Sequence, residues 1–377
     1  MFWSPIFKLV AIWRVSDHAG NFCGGQPLEA RALRGELLTR TDFEPGTIAA
    51  REAGLWSLSC PQELGGAGLS TVETLAITEE NSRCLTPIRF GGGALPPTFA
   101  LQGEQRRRYL EPFLSGEQTL CMAQTEPAGG GDPAGAIQTR ARQIEGGWVI
   151  NGSKIWISGF DDANTVFVLA RTDKDKGAKG ISMFAVAKEN VGMTARPVRM
   201  LGGFMTHQLT FENCEVDELA MIGLEGTGFK SAQQALSAAR FVVGARALGI
   251  AQRAYEMMVE HAKQRVVFGG PLADKQAVQS MIVDAWIEIQ QNRLMLYHCA
   301  EKEDRGHDTR VEAGLVKMLC TEMVSRVLDR AIQIHGAGGC TYESPLAHWY
   351  DSQRMARIYE GPTEVHKYRV LARHLLS

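Results

Sequence analysis

No charge of one sign dominates the 377 residues: 40 Lys and Arg stand against 42 Asp and Glu, a formal net charge of −2. So balanced a chain carries no global field for a polyanionic partner, which argues against nucleic acid. No run approaches the ~18 consecutive apolar residues of a membrane-spanning helix, so membrane association is not expected. Cysteine is present but never clustered. Cys23, Cys60, Cys84, Cys121, Cys214, Cys299, Cys320 and Cys340 stand singly, without the close pairs of a zinc site or redox motif, and no metal is expected. They are expected to be reduced, mostly buried thiols of an intracellular protein. The chain also lacks internal repeats and low-complexity tracts. No Gly-x-Gly-x-x-Gly sits between a strand and a helix with an acidic residue about twenty positions later, which disfavours a nicotinamide dinucleotide. The opening MFWSPIFKLVAIW is apolar and aromatic, but Pro5, Lys8 and the missing small-residue cleavage site make it a poor signal peptide. Packing on the body or disorder is expected of it, with a membrane-surface anchor as the alternative.

What is present divides the chain by texture into an α+β protein. From about Pro27 to Glu117, apolar residues recur at three- and four-residue spacings, as in EARALRGELL and TVETLAITEENSR, predicting a helical domain over 1–118 with Thr71 as an N-cap. Between about Leu120 and Gly226 short apolar runs are broken by Gly, Asn and Asp. This predicts a β-domain of sandwich or barrel type over 119–227, with Asn151-Gly152 as a type I′ hairpin turn. After Gly228 three long helical segments follow, ending near Arg265, Glu303 and His335. They predict a four-helix bundle over 228–377 whose apolar positions bury a face against another subunit.

Five stretches carry chemistry. MAQTEPAGGGDPAG (Met122 to Gly135) is a Gly-rich loop whose backbone N–H groups can approach phosphate closely. NGSKIWISG contains a strand Trp156, which packing alone could explain. AKQRVVFGGPLADKQAVQ places Arg265, a planar bidentate donor suited to pyrophosphate, between two long helices. AIQIHGAGGCTYE puts His335 at a helix C-terminus, where a histidine ordinarily answers the dipole. In ARIYEGPTEVHK, Pro362 suits a first helical turn, Glu360 lies just outside it, Gly361 permits a bend, and Glu364 offsets the helix dipole.

Together these stretches resemble the acyl-CoA dehydrogenase family, over about Thr41 to Ser377. The resemblance implies that FAD is the cofactor and that Met122, Gln124 and Thr125 contact the isoalloxazine. It places Trp156 beside the flavin and Ser158 near its N5–O4 edge. Arg265, Phe268 and Gln276 would reach the flavin of a neighbouring subunit, while Gln333, His335, Gly336 and Ala337 would hold its adenosine side. Thr363 and Glu364 join the cofactor set, and Gly131, Arg240 and Gly361 the substrate set. Glu360 matches the Glu of the family's IYEGTxE, the base that removes the α-proton of an acyl-CoA thioester. Ala239 stands where some relatives carry the base, which leaves Glu360 as the candidate.

Two departures accompany the resemblance: Gly131 replaces a usual Ser, and Pro362 a usual Thr. The expected activity is oxidation of an acyl-CoA to its trans-2-enoyl-CoA, with an electron-transferring flavoprotein as acceptor. A homotetramer or homodimer is expected, in a bacterial cytoplasm or, alternatively, a mitochondrial matrix. The competing expectations are a flavin oxidase or monooxygenase on the same fold, and a catalytically silent acyl-CoA-binding paralogue.

Overall fold

The structure is a computed structural model that describes residues 26–91 and 95–377; the MFWSPIFKLVAIW stretch and Cys23 lie outside the described residues. In chain order the helices α1 (Gln26–Leu33), α2 (Glu44–Glu52), α3 (Thr71–Asn81), α4 (Gly103–Tyr109) and α5 (Glu111–Ser115) come first. Strand β1 (Leu120–Ala123), helix α6 (Pro133–Ala136), then β2 (Arg140–Ile144), β3 (Gly147–Ser158), β4 (Thr165–Arg171), β5 (Ile181–Ala187), β6 (Met193–Arg199), β7 (Met205–Asp217) and β8 (Met221–Ile222) follow. Helix α7 (Gly228–Gln264), a short hairpin of β9 (Val266–Val267) and β10 (Gly270–Pro271), and helices α8 (Gln276–Asp304), α9 (Arg310–His335) and α10 (Pro345–Ala356) lead to a π-helical segment, Val365–Leu371, and α11 (Ala372–Leu376). The chain falls into two compact units: one built from the segments up to Ser59, Leu69–Phe90 and Ser237–Ser377, the other from Cys60–Gly68 and Gly91–Leu236.

In the first unit α7, α8 and α9 surround a core of Phe241, Leu248, Met258, Ile289, Leu296, Val324 and Leu328, all nearly inaccessible. Each such side chain contributes about 1.5–3 kcal/mol by leaving water. Helix α9 buries residues on almost every turn, among them Ala313, Val316, Cys320, Val324, Val327 and Ala331, as a helix with neighbours on several sides must. One charged residue, Lys317, lies on that buried stripe. Helix α3 starts one residue earlier than Thr71 suggests: Ser70 is the N-cap, its hydroxyl accepting from Glu73 N (3.2 Å) while the Glu73 carboxylate accepts from Ser70 N (3.0 Å). The Ser-x-x-Glu spacing forms the reciprocal box, and Thr71 becomes the first helical residue. The next two N–H groups, of Thr71 and Val72, donate to Asp304 at the end of α8 (2.6 and 3.0 Å).

The second unit holds an eight-stranded sheet, ordered β6-β7-β3-β2-β4-β5-β8, with β1 parallel to β4. The pairing of β2 with β4 is a single bridge, Arg140 to Arg171. There the sheet folds over, so that Ile150, Leu209 and Phe211 of one half share a core with Val166, Val168 and Phe184 of the other. Trp148 packs on Phe184 at 5.3 Å between ring centroids. A sandwich therefore results from one hydrogen-bonded sheet. The opposite face of β4 and β5 is covered as well, with Phe167 edge-on to Phe113 at 6.2 Å. Burial on both faces explains why VFVLA (Val166 to Ala170) and MFAVA (Met183 to Ala187) are unbroken apolar runs without alternation.

Asn151-Gly152 is not a turn. The β2–β3 hairpin turns at Glu145-Gly146, and β3 runs through Asn151 and Gly152 with a register shift between Ile150 and Gly152. Gly152 has φ +150°, and a Cβ there would lie 2.6 Å from Thr139 Cα, so glycine serves a bulge with close backbone approach. Asn151 Oδ1 accepts from Asn213 N at 2.8 Å, anchoring the bulge to β7.

Among the described residues Cys60, Cys84, Cys121, Cys214, Cys299 and Cys320 are buried and Cys340 is exposed. No helix among them is long and apolar enough to cross a membrane, and no group of His, Cys, Asp and Glu could hold a metal ion.

Candidate active site

Two groups of side chains, one in each unit, carry the features that chemistry needs. In the second unit the group is organised by Lys154, which is completely buried on β3. Its Nζ donates to Gln124 O (3.1 Å) and to Glu126 Oε1 (2.8 Å), and the Glu126 carboxylate also accepts from the backbone N–H groups of Gln138 (2.7 Å) and Thr139 (2.9 Å). Ile155 N donates to Thr125 O at 2.8 Å. Burial lowers the Lys154 pKa to about 8 against the pull of Glu126. Burial pushes Glu126 the other way, but Lys154 and the surrounding donors outweigh it and hold the carboxyl below its ordinary value. The pair fastens the segment after β1 to β3, bringing Met122, Gln124 and Thr125 alongside Trp156 and Ser158.

Trp156 sits where the β3–β7 register shifts between Lys154 and Ile157, at φ +63°, and is 49% exposed. A tryptophan in the left-handed region costs on the order of 1–3 kcal/mol, a strain that marks constrained functional positions. Ser158 is exposed, Met122 is partly buried, and Gln124 Oε1 is buried without a partner. An aromatic face, a hydroxyl and an unanswered amide oxygen, which can accept from a ring N–H, form a set of contacts that fits a flavin. Gly131 lies in the exposed loop before Asp132, whose carboxylate accepts from Gly135 N at the start of α6 (3.4 Å).

In the first unit the sequence candidates fall into two places. Arg265 leaves the end of α7 into the β9–β10 hairpin; it is exposed, and Leu272 N donates to its carbonyl (2.7 Å). Phe268 stands at the hairpin tip, φ +48° and 99% exposed, and Gln276 opens α8, also exposed. At the end of α9, Gln333 is exposed, His335 Nδ1 donates to Ala331 O at 2.8 Å, and Gly336 and Ala337 follow in an exposed turn. His335 stacks on His261 of α7 with 4.4 Å between centroids. The pKa of His261 is lowered by burial, then by His335 and Arg265. The hairpin and the α9 terminus thus meet at one end of the helices.

The second place surrounds Glu360. Glu360 has φ +56° and Gly361 φ +97°, two successive left-handed residues, of which only the glycine adopts that region without strain. The Glu360 carbonyl accepts from Arg240 Nε (3.1 Å) and His366 Nε2 (3.0 Å), and the Gly361 carbonyl accepts from Lys317 Nζ (2.7 Å). The carboxylate is treated differently: Oε2 is buried with no hydrogen-bond partner. Burial raises the Glu360 pKa, opposed by the charges of Arg240, Lys317 and Arg246. Burial likewise lowers Lys317 to about 8 and, with Arg240 and Lys317 adding to it, His366 to about 4. Of the neighbouring candidates, Thr363 donates its hydroxyl to Glu322 Oε1 (2.8 Å), which Arg357 also contacts, while Glu364 is exposed. Pro362 precedes the terminal helix, its carbonyl accepting from His366 N (3.2 Å).

Arg240, Glu360 and Gly361 are therefore brought together, and Lys317 and His366 join them unannounced by the motifs. One signal for Lys317 was available, since it occupies the apolar stripe of α9 where a charge demands a partner. His366 ties stability to pH. Its folded pKa lies below the ordinary 6.5, so the unfolded chain binds more protons between 6.5 and about 4. The stabilisation is complete above pH 6.5 and is lost as pH falls through that window, by on the order of 1–2 kcal/mol after solvent screening. Denaturant unfolding followed from pH 7 to 4 is expected to show this loss in the parent and to lack it in His366→Gln.

Comparison with known proteins bears on both groups. Family models for the acyl-CoA dehydrogenase N-terminal, middle and C-terminal domains match residues 36–117, 121–214 and 226–376. The (R)-benzylsuccinyl-CoA dehydrogenase of Thauera aromatica is 35% identical over 353 residues, covering 90% of this chain and 86% of that protein. Among solved structures, the butyryl-CoA dehydrogenase of Megasphaera elsdenii superposes with a TM-score of 0.86 at 28% identity, covering 98% of each chain. A chain from a study of the electron-transferring flavoprotein of Acidaminococcus fermentans and flavin-based electron bifurcation gives 0.83 at 32% identity, covering 93% of this chain and 92% of that one.

Proposed function

Because this chain belongs to the acyl-CoA dehydrogenase family, an oxidoreductase family with FAD as cofactor, we propose that Glu360 is the base that removes the α-proton of its acyl-CoA substrate. The observation that carries this reading is the Glu360 carboxylate, buried with an unpartnered oxygen and a raised pKa, on a backbone pinned by three donors. A base near neutrality transfers protons best, and burial moves a carboxyl toward it. No donor has to be displaced from Oε2 before a proton is taken. The charges of Arg240, Lys317 and Arg246 oppose that upward shift and favour the carboxylate form that takes the proton. FAD, when bound, supplies the acceptor for the β-hydrogen, which leaves with its electron pair. Loss of a proton from Cα and a hydride from Cβ yields a trans-2-enoyl-CoA.

Met122, Gln124, Thr125, Trp156 and Ser158 would hold the isoalloxazine, with Gly131 beside the substrate. Arg265, Phe268, Gln276, Gln333, His335, Gly336 and Ala337 form a surface suited to the diphosphate and adenosine side of a flavin in a neighbouring copy, which implies a homodimer or homotetramer. We further infer that an electron-transferring flavoprotein reoxidises the enzyme, a reading supported by the likeness to the Acidaminococcus fermentans chain. Anaerobic addition of acyl-CoA thioesters of graded length and branching tests the proposal. Bleaching of the flavin absorbance by one class supports it and defines the substrate, whereas a flavin-loaded protein that none reduces overturns it. A second expectation concerns Arg265. Removing a charge-assisted contact of about 1.5–3 kcal/mol weakens FAD binding roughly ten- to a hundredfold. Flavin content of purified Arg265→Ala should fall accordingly, and an unchanged ratio of flavin to protein would remove Arg265 from the cofactor site.

A further inference from the structure

We propose that Lys317 and His366 are positioning residues that fix the aim of Glu360 by gripping its own carbonyl and the next one, leaving its carboxylate uncontacted. This inference rests on Glu360 being the base. Glu360 is one of five non-glycine residues with positive φ among those described, and it is followed by a second positive-φ residue. Such a pair persists only where its surroundings over-determine it. Here His366 and Arg240 both donate to the Glu360 carbonyl, and Lys317 donates to the Gly361 carbonyl. The restraint falls entirely on the backbone, while Oε2 has no partner. A base must be rigidly directed yet free to take a proton, and this division of contacts meets both requirements.

The donor at His366 has a definite form. A carbonyl oxygen only accepts, so Nε2 carries the proton and Nδ1 the lone pair. Nδ1 is buried without a partner, against Gly314 of α9, where an added Cβ would come within 2.8 Å of it. Protonating Nδ1 would leave a buried, unanswered N–H beside two cations, which fits a ring held neutral by burial, Arg240 and Lys317. Lys317 contributes differently. It is fully buried and, among the described residues, has no carboxylate within ion-pair distance, so its charge acts on Glu360 across space. The groups acting on Glu360 or on Lys317 are Arg240 and Arg246 from α7, Lys317 and Glu322 from α9, and Tyr359, Glu364 and His366 from the terminal segment. Removing Lys317 thus frees a carbonyl and raises the pH at which Glu360 ionises.

The test uses the flavin-loaded enzyme, an acyl-CoA that bleaches it, and stopped-flow reduction across pH, with flavin content and circular dichroism as controls. His366→Leu is expected to slow reduction roughly ten- to a hundredfold at saturating substrate with KM little changed. His366→Gln, which restores an uncharged donor, is expected to recover to within about threefold of the parent. Lys317→Met is expected to move the acid limb of the pH–rate curve upward, a shift that a merely structural loss does not produce. Parental rates in His366→Leu together with an unmoved limb in Lys317→Met overturn the inference, as does failure of His366→Gln to outperform His366→Leu. If Lys317→Met does not fold, the two His366 variants decide the matter alone. Should Glu360→Gln reduce normally, the assignment of the base itself fails, an outcome distinct from parental behaviour in the positioning variants.

Discussion

Glu360→Gln is expected to bind FAD as the parent does and to reduce it at least about a thousandfold more slowly with acyl-CoA, the scale of a lost general base. The amide keeps the size of the side chain but has no lone pair basic enough for an α-proton. The surrounding donors act on main-chain carbonyls, so Arg240, His366 and Lys317 retain their hydrogen bonds in the variant. Stability should change little or rise slightly, because a buried group with an elevated pKa resists ionisation and the amide never ionises. Flavin absorbance before and after anaerobic mixing measures both halves of the expectation. Bleaching at the parental rate would remove Glu360 from the reaction.

The second large effect is structural. Lys154→Met leaves the Glu126 carboxylate buried without its cation, and breaking one side of such a pair costs about 3–5 kcal/mol. The loss is expected to exceed that of any surface ion pair, such as Arg305 with Glu301, whose partners are 70% and 48% exposed. Glu126 still accepts from Gln138 N and Thr139 N, which is why glutamine is the informative second change. Lys154→Met with Glu126→Gln should regain part of the loss, since the stranded charge is gone. Urea unfolding of the two single variants and the double variant gives the coupling. A loss below about 1 kcal/mol in Lys154→Met would show that the buried pair does not hold the segment after β1 against β3.

Local pattern carried much of this molecule. Three long helices were legible because apolar residues return every three or four positions, and β4 and β5 because continuous Val, Ile, Phe and Met runs fit strands covered on both faces. Glu360 was singled out by its place before Gly361 and Pro362 and by the likeness of its neighbourhood to a family motif. Asn151-Gly152 misled because its turn preference is local, whereas the bulge is enforced by Thr139 and Asn213 from other parts of the chain. Lys154, Lys317 and His366 were missed for a related reason. Lys154 meets Glu126 across 28 positions and Lys317 meets Gly361 across 44, so their roles exist only after the chain has folded back. His366 is close in sequence to its acceptor, but only the left-handed turn at Glu360 and Gly361 directs the carbonyl toward the ring.

The cap that Asp304 places on α3 has a consequence for biosynthesis. Thr71 waits 233 residues for the carboxylate that answers its N–H, and Leu75 of the same helix packs into a core whose other buried members all lie beyond Ser237. Residues 91–236, which carry the whole eight-stranded sheet, leave the ribosome in one uninterrupted stretch between them. The sheet is therefore placed to close while α3 still lacks its helical neighbours and exposes apolar surface. During synthesis the vulnerable species is a chain with a finished β region and an orphaned α3, and chaperone occupancy should end only once α8 has been translated.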